Sequence, residues 1–163
     1  YYGGIVGGIT AYGIPEENIS FINYFTDTRE SAAQKIKTAD IIYFLGGLPD
    51  RMMDRIREFD LYNVLMAHNG ILMGYSAGAV IQLAEYHLSP DEDYPEFKYF
   101  EGLPYLNDFY MEVHYEGTEV QDEAIRCVLS ERGKTVYATA VRSGAILVDN
   151  GNIKLIGDVK IFR

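Results

Sequence analysis

Five consecutive residues, Gly74-Tyr75-Ser76-Ala77-Gly78, carry the clearest chemical signal in the chain. They fit the pattern G-x-S-x-G and lie between an apolar run, Ile71-Leu72-Met73, and a helix-forming run from Ala77 to about Glu85. In that setting the chain reverses sharply after a strand, the central residue is forced into strained dihedrals, and its neighbours must be small. Gly74, Ala77, Gly78 and Ala79 meet that demand. Such an elbow lifts a hydroxyl clear of the carboxyl ends of a sheet, where α/β proteins place their ligands. It also aims the first N–H groups of the helix at whatever the hydroxyl attacks. Ser76 is therefore the candidate nucleophile; the competing reading is a helix-capping serine with permissive glycines.

A serine hydroxyl needs a base, normally histidine. The chain has three histidines. His68 precedes the helix-stopping pair Asn69-Gly70 and reads as a surface cap residue. His87 trails the elbow helix and reads as solvated. His114 ends a strand-like run from Asp108, in a sheet whose strand ends should gather at the site, and it is the candidate base. An oxyanion needs backbone donors. The Ala77 N–H, directly after the serine, is one candidate. Gly47 or Leu48, after the apolar run Ile41 to Leu45, is the other, because Gly46-Gly47 permits dihedrals that turn amides inward. An ordinary strand-ending glycine pair is the plain alternative.

The elements that must position these residues alternate in type. Ile19 to Phe25 reads as a strand, and Thr28 caps a helix to about Thr38 with Ala32, Ala33 and Ile36 inward. The runs Asp40 to Leu45 and Ile71 to Gly74 read as strands buried on both faces, as in a parallel sheet. Pro49 opens a helix presenting Met52, Met53 and Ile56, and another runs from Leu61 to Ala67. Ser89 to Pro95, with Asp91, Glu92 and Asp93, is the least regular stretch. Glu119 to Glu131 reads as an amphipathic helix. Three β runs close the chain, at 135–139, 145–148 and 153–162, with Asn150-Gly151 as a hairpin turn. The class is α/β, a mostly parallel sheet with antiparallel C-terminal edge strands. Gly3 to Ile9 has no G-x-G-x-x-G spacing and reads as a small-residue helix packed on a sheet rather than a phosphate loop.

The bulk numbers narrow the function classes. The 163 residues suit one domain, 1–163. A formal net charge of −10 disfavours nucleic acid and anionic membranes as partners. One cysteine, Cys127, allows no internal disulfide, reads as a packed thiol on a helix face, and points to a cytoplasmic home. No apolar run approaches a membrane span.

These residues together resemble the dipeptidase E and cyanophycinase family of serine peptidases. The resemblance rests on Gly74 to Ala79, the preceding Ile41 to Gly47, the loop Asp91 to Pro95, the strand ending in His114 and the closing β runs, so it covers nearly the whole chain. It implies a flavodoxin-like three-layer sandwich of the class I glutamine amidotransferase type. It implies Ser76 as nucleophile, His114 as base, the Leu48 and Ala77 amides as oxyanion hole, and cleavage beside an aspartyl residue. No cofactor or metal is implied; a small peptide or small molecule is the expected partner, and a homodimer is compatible with it. There are departures. The family's Gly-Gly-Gly-Asn-Thr loop stands here as Gly46-Gly47-Leu48-Pro49-Asp50, without the polar Asn and Thr contacts. Arg142 stands where the family often carries an acid. The third catalytic member is thus open: Glu116, two residues beyond His114, and Asp93 or Asp91 in the acidic loop are the candidates. The resemblance also implies a further strand–helix–strand unit ahead of Tyr1. The alternatives are a catalytically silent binding module of the same fold, and an esterase or amidase acting on a small non-peptide substrate.

Overall fold

The computed structural model describes residues 2–163. Its elements alternate, and each begins or ends for a local reason. Helix α1 spans Tyr2–Thr10. Of its residues only Val6 is buried, and a Cβ at Gly3, Gly4, Gly7 or Gly8 would meet nothing within 4 Å. The tight small-residue packing expected there is not formed. The expected strand at 19–25 is also absent. A 3-10 turn at Glu16–Asn18 leads into a second turn. There the Asn23 carbonyl accepts from the Thr26 and Asp27 amides, and the Asp27 carboxylate accepts from the Asn23 N–H at 2.7 Å. Short polar side chains that bond their own backbone outcompete a ladder. Lys35 completes this turn, donating to Asp27 and to the Phe21 carbonyl at 2.7 Å. That bond set holds the Asp27 carboxyl at about 2, the Lys35 bond contributing most.

Helix α2 (Arg29–Thr38) starts at Thr28, whose hydroxyl accepts from the Ser31 N–H while Ser31 Oγ accepts from the Thr28 N–H. It buries Ala32 and Ile36. Strand β1 (Ile41–Phe44) and strand β2 (Ile71–Gly74) pair in parallel, Ile41 opposite Ile71 and Phe44 opposite Gly74. Between them run α3 (Pro49–Glu58), with Pro49 at its first position, and α4 (Tyr62–Met66). Met53, Ile56 and Leu65 from these helices pack with Phe44, Val80 and Ile81 in the larger core. Burial of β1 and β2 on both faces is not observed: Ile41, Ile71 and Met73 are exposed. The helices α2 to α4 cover one face, and no described element covers those three side chains.

Helix α5 is short, Ala77–Val80, and does not reach Glu85 as expected. The carbonyls that would continue it are taken by a distant segment. Leu103 N–H donates to Ile81 O, Leu106 N–H to Gln82 O and Gly102 N–H to Ala84 O. The chain then extends as β3 (Glu85–Leu88), antiparallel to β4 (Lys98–Glu101). Strand β5 (Tyr110–Val113) is joined through α6 (Glu119–Arg132) to the parallel β6 (Val136–Asp149), and β7 (Asn152–Phe162) returns antiparallel to β6. The three closing runs are thus two long strands, broken by a register shift between Thr139 and Gly144. Their turn sits at Asn150 and Gly151, with φ 47° and 80°, the positive pair a tight hairpin requires. A second core of Tyr110, Ile125, Val128, Val136 and Ala138 lies between α6 and β5–β6.

The fold is α/β, as the residue pattern predicts. Its antiparallel share is larger than expected, because residues 85–101 add a pair of their own and the strands hydrogen-bond in three groups. Among the described residues no helix is long and apolar enough to cross a membrane.

Candidate active site

Strand β2 ends at Gly74 and the chain turns at once through Ser76, whose φ of 55° and ψ of −118° lie outside the regions open to ordinary residues. Such strain persists only where the surroundings over-determine it. Here they do. Tyr75 N–H donates to Phe44 O at 3.1 Å, extending the β1–β2 ladder by one residue, and Gly78 N–H donates to Tyr75 O at 3.0 Å. Gln82 Nε2 holds Gly78 O at 2.9 Å from inside the core. A Cβ at Gly74 would stand 2.2 Å from Gly78 O, and one at Gly78 would stand 2.0 Å from Phe44 O. Both glycines are therefore demanded by contact between the elbow and the end of β1.

His114 follows the last residue of β5 and also has a positive φ, 56°. Its ring reaches across to the elbow, Nε2 lying 2.6 Å from Ser76 Oγ. That distance suits a hydroxyl donating to an unprotonated ring nitrogen. The His114 backbone is fixed from both sides. Tyr115 N–H donates to Thr139 O at 3.0 Å, and Gln121 Nε2 donates to His114 O at 3.0 Å. Gln121 is the third residue of α6 and part of its capping box. Its Oε1 also accepts from the Glu116 N–H at 2.9 Å, so one side chain caps the helix and clamps the turn that carries the histidine. The Tyr75 ring meets the imidazole edge-on, centroids 6.0 Å apart.

The backbone donors named from sequence lie at helix starts. Ala77 opens α5, and Leu48 is the N-cap of α3. Neither N–H donates to an acceptor among the described residues. Gly47, before Leu48, has φ 144°, open in practice only to glycine. Gly46 packs against the elbow: a Cβ there would lie 3.2 Å from the Tyr75 ring and 3.5 Å from Ser76 Cβ.

The candidates for a third member are not brought to the histidine. Glu116 is exposed, and among the described residues its carboxylate has no hydrogen-bond or ion-pair partner. Asp93 is exposed in the loop after β3, where its N–H donates to Asp91 Oδ1. Among the described residues no carboxylate hydrogen-bonds or ion-pairs with the His114 ring. Arg142, exposed in the irregular stretch of β6, ion-pairs with no carboxylate among the described residues, so it draws none of them away from the site. Among the described residues no three His, Cys, Asp or Glu side chains converge to hold a metal ion.

Sequence reasoning missed His87. It is buried rather than solvated, and its Nε2 lies 2.7 Å from Glu112 Oε2. Tyr86 and His87 are both buried in β3, a strand that extending α5 too far conceals. Gln121 was legible as the third residue after Thr118, an S/T-x-x-E/Q capping box.

The chain matches the family model of peptidase family S51 over residues 10–156. It belongs to that family. Members of S51 are serine peptidases, so the elbow sits in a peptidase scaffold. Two solved structures share the fold. One is a Listeria monocytogenes EGD-e protein named for peptidase E, 18% identical with a TM-score of 0.61, covering 82% of this chain and 67% of its own. The other is a peptidase from an acI-B1 Actinobacterium, 20% identical with a TM-score of 0.56, covering 82% of this chain and 59% of its own. No curated protein matches this S51 chain.

Proposed function

We propose that this S51 member hydrolyses a small peptide beside an aspartyl residue, with Ser76 as nucleophile and His114 as general base. One observation carries the reading: the 2.6 Å contact between His114 Nε2 and Ser76 Oγ, made by a serine at φ 55°. His114 Nε2 takes the hydroxyl proton as Oγ attacks the peptide carbonyl. The resulting oxyanion accepts from the Ala77 and Leu48 amides, which have no acceptor among the described residues. The imidazolium then gives its proton to the leaving amine, leaving an acyl-serine. Water, deprotonated by the same histidine, releases the acid and restores Ser76.

The aspartyl part rests on the dipeptidase E resemblance, and the loop Gly46 to Asp50 departs from that pattern. A second reading, a binding module that keeps the elbow, is favoured by the His114 ring having no carboxylate partner. A carboxylate would fix the Nδ1–H tautomer and stabilise the imidazolium; a serine peptidase deprived of it loses about 10⁴-fold in kcat. Turnover of Asp-X and Ala-X dipeptides by the wild type, Ser76→Ala and His114→Ala separates the readings. The proposal expects Asp-X turnover that both substitutions abolish. Turnover that survives Ser76→Ala rejects the nucleophile, and a wild type inert towards every dipeptide favours the binding module.

A further inference from the structure

Residues 89–95, between β3 and β4, are fastened at their two ends to the two halves of the site. At the first end Ser89 Oγ lies 2.8 Å from both carboxylate oxygens of Glu112. Glu112 is buried in β5, two residues before His114, and also holds His87. At the second end the Tyr94 hydroxyl donates to Asp50 Oδ1 at 2.5 Å. Asp50 is the second residue of α3, two beyond Leu48. Between these anchors the loop is closed on itself. Asp91 N–H donates to Tyr94 O at 2.8 Å, and Asp91 Oδ1 accepts from the Asp93 and Tyr94 amides at 2.9 and 2.7 Å.

We propose that Tyr94 and Ser89 are positioning residues, and that loop 89–95 is a strap tying the Leu48 amide to the strand end that bears His114. The proposal rests on the Ser76–His114 reading. The reason a strap is needed lies in the segment it fixes. Among the described residues Gly46, Gly47 and Leu48 donate no backbone hydrogen bond, and Leu48 is exposed. A glycine pair with no ladder of its own has wide conformational freedom, whereas an oxyanion donor must hold its place to a few tenths of an ångström. The nearest fixed points are buried Pro49 and the Asp50 carboxylate that Tyr94 grips. Burial first, and the Asp50 bond second, raise the Tyr94 pKa above the ordinary phenol value, so the hydroxyl stays a donor. Ser89 secures the other end to the same strand that delivers the base.

The test uses Tyr94→Phe, Asp50→Ala and their double substitution, with Ser89→Ala alongside. The readouts are kcat and KM, the rate at which a fluorophosphonate labels Ser76, and amide exchange at Met52, whose N–H donates to Leu48 O. A misplaced catalytic group costs rate rather than fold. Tyr94→Phe should lower kcat and the labelling rate about tenfold with KM within about twofold. The double variant should be no worse than either single, because both remove one bond. Met52 should exchange faster while β6 and β7 are unchanged. A labelled wild type whose rate is unaltered by Tyr94→Phe, or whose amides all exchange faster together, overturns the strap alone. An unlabelled wild type rejects the Ser76–His114 reading and the strap's catalytic role with it.

Discussion

Serine, histidine and carboxylate meet near β5 in one place and not in another. Behind the strand, Glu112 sits between His87 and Ser89 and bonds to both. At its end, His114 meets Ser76 with no carboxylate on the ring. Composition would choose the first group as the reactive one; the order of contacts chooses the second. In the buried group the carboxylate is the hub, so Ser89 donates to Glu112 and never touches the imidazole. The His87 side chain is wholly inaccessible, and β3 and β5 are regular strands without strain. At the elbow the hydroxyl faces the imidazole directly, on a residue held at φ 55°. Residue types make a scaffold in one region and a nucleophile in the other, and the backbone decides which.

The serines offer the widest margin for breaking that contrast. Ser76→Ala should remove hydrolysis by about 10⁴-fold or more without loss of fold, read as kcat/KM beside a thermal melt. The histidines sharpen it. His114→Ala should lower turnover by about 10³–10⁴-fold and leave stability nearly intact. His87→Ala should cost about 1–3 kcal/mol in denaturant unfolding, because it removes one of the two side chains that hold the buried Glu112 carboxylate, while His68→Ala serves as a neutral control for turnover. Comparable kinetic losses in all three would mean folding, not proton transfer, is being measured. The glycines come next. Gly78→Ala should destabilise by about 1–3 kcal/mol in the same assay, since its Cβ would strike Phe44 O. Gly4→Ala, in a helix with open space around it, should stabilise by about 0.4–1 kcal/mol. Arg142→Glu tests whether a carboxylate from β6 can serve His114; a gain in kcat of several-fold is expected, with KM unchanged.

Much of this was legible where the determinant is local. The elbow could be read because Gly74 and Gly78 answer a steric demand set within five residues. The start of α2 could be read from Thr28, and the β6–β7 turn from Asn150-Gly151. What could not be read depends on distant partners. Residues 81–84 look helical until Gly102, Leu103 and Leu106 take their hydrogen bonds. His87 looks solvated until Glu112 arrives from β5. Apolar Ile41, Ile71 and Met73 look buried, yet no periodicity states whether a second layer covers them. The pairing of Ser76 with His114 was expected from strand-end geometry, whereas the missing carboxylate could be found only in three dimensions.

The most direct measurement is the site of covalent capture. A fluorophosphonate reacts where a serine is activated and an oxyanion can be held, so the adduct maps the nucleophile without knowledge of the substrate. Peptide mass spectrometry on the labelled wild type should place one adduct on Ser76, with Ser89 unmodified and no adduct in Ser76→Ala. An adduct on Ser89, or undiminished labelling of Ser76→Ala, would contradict the account.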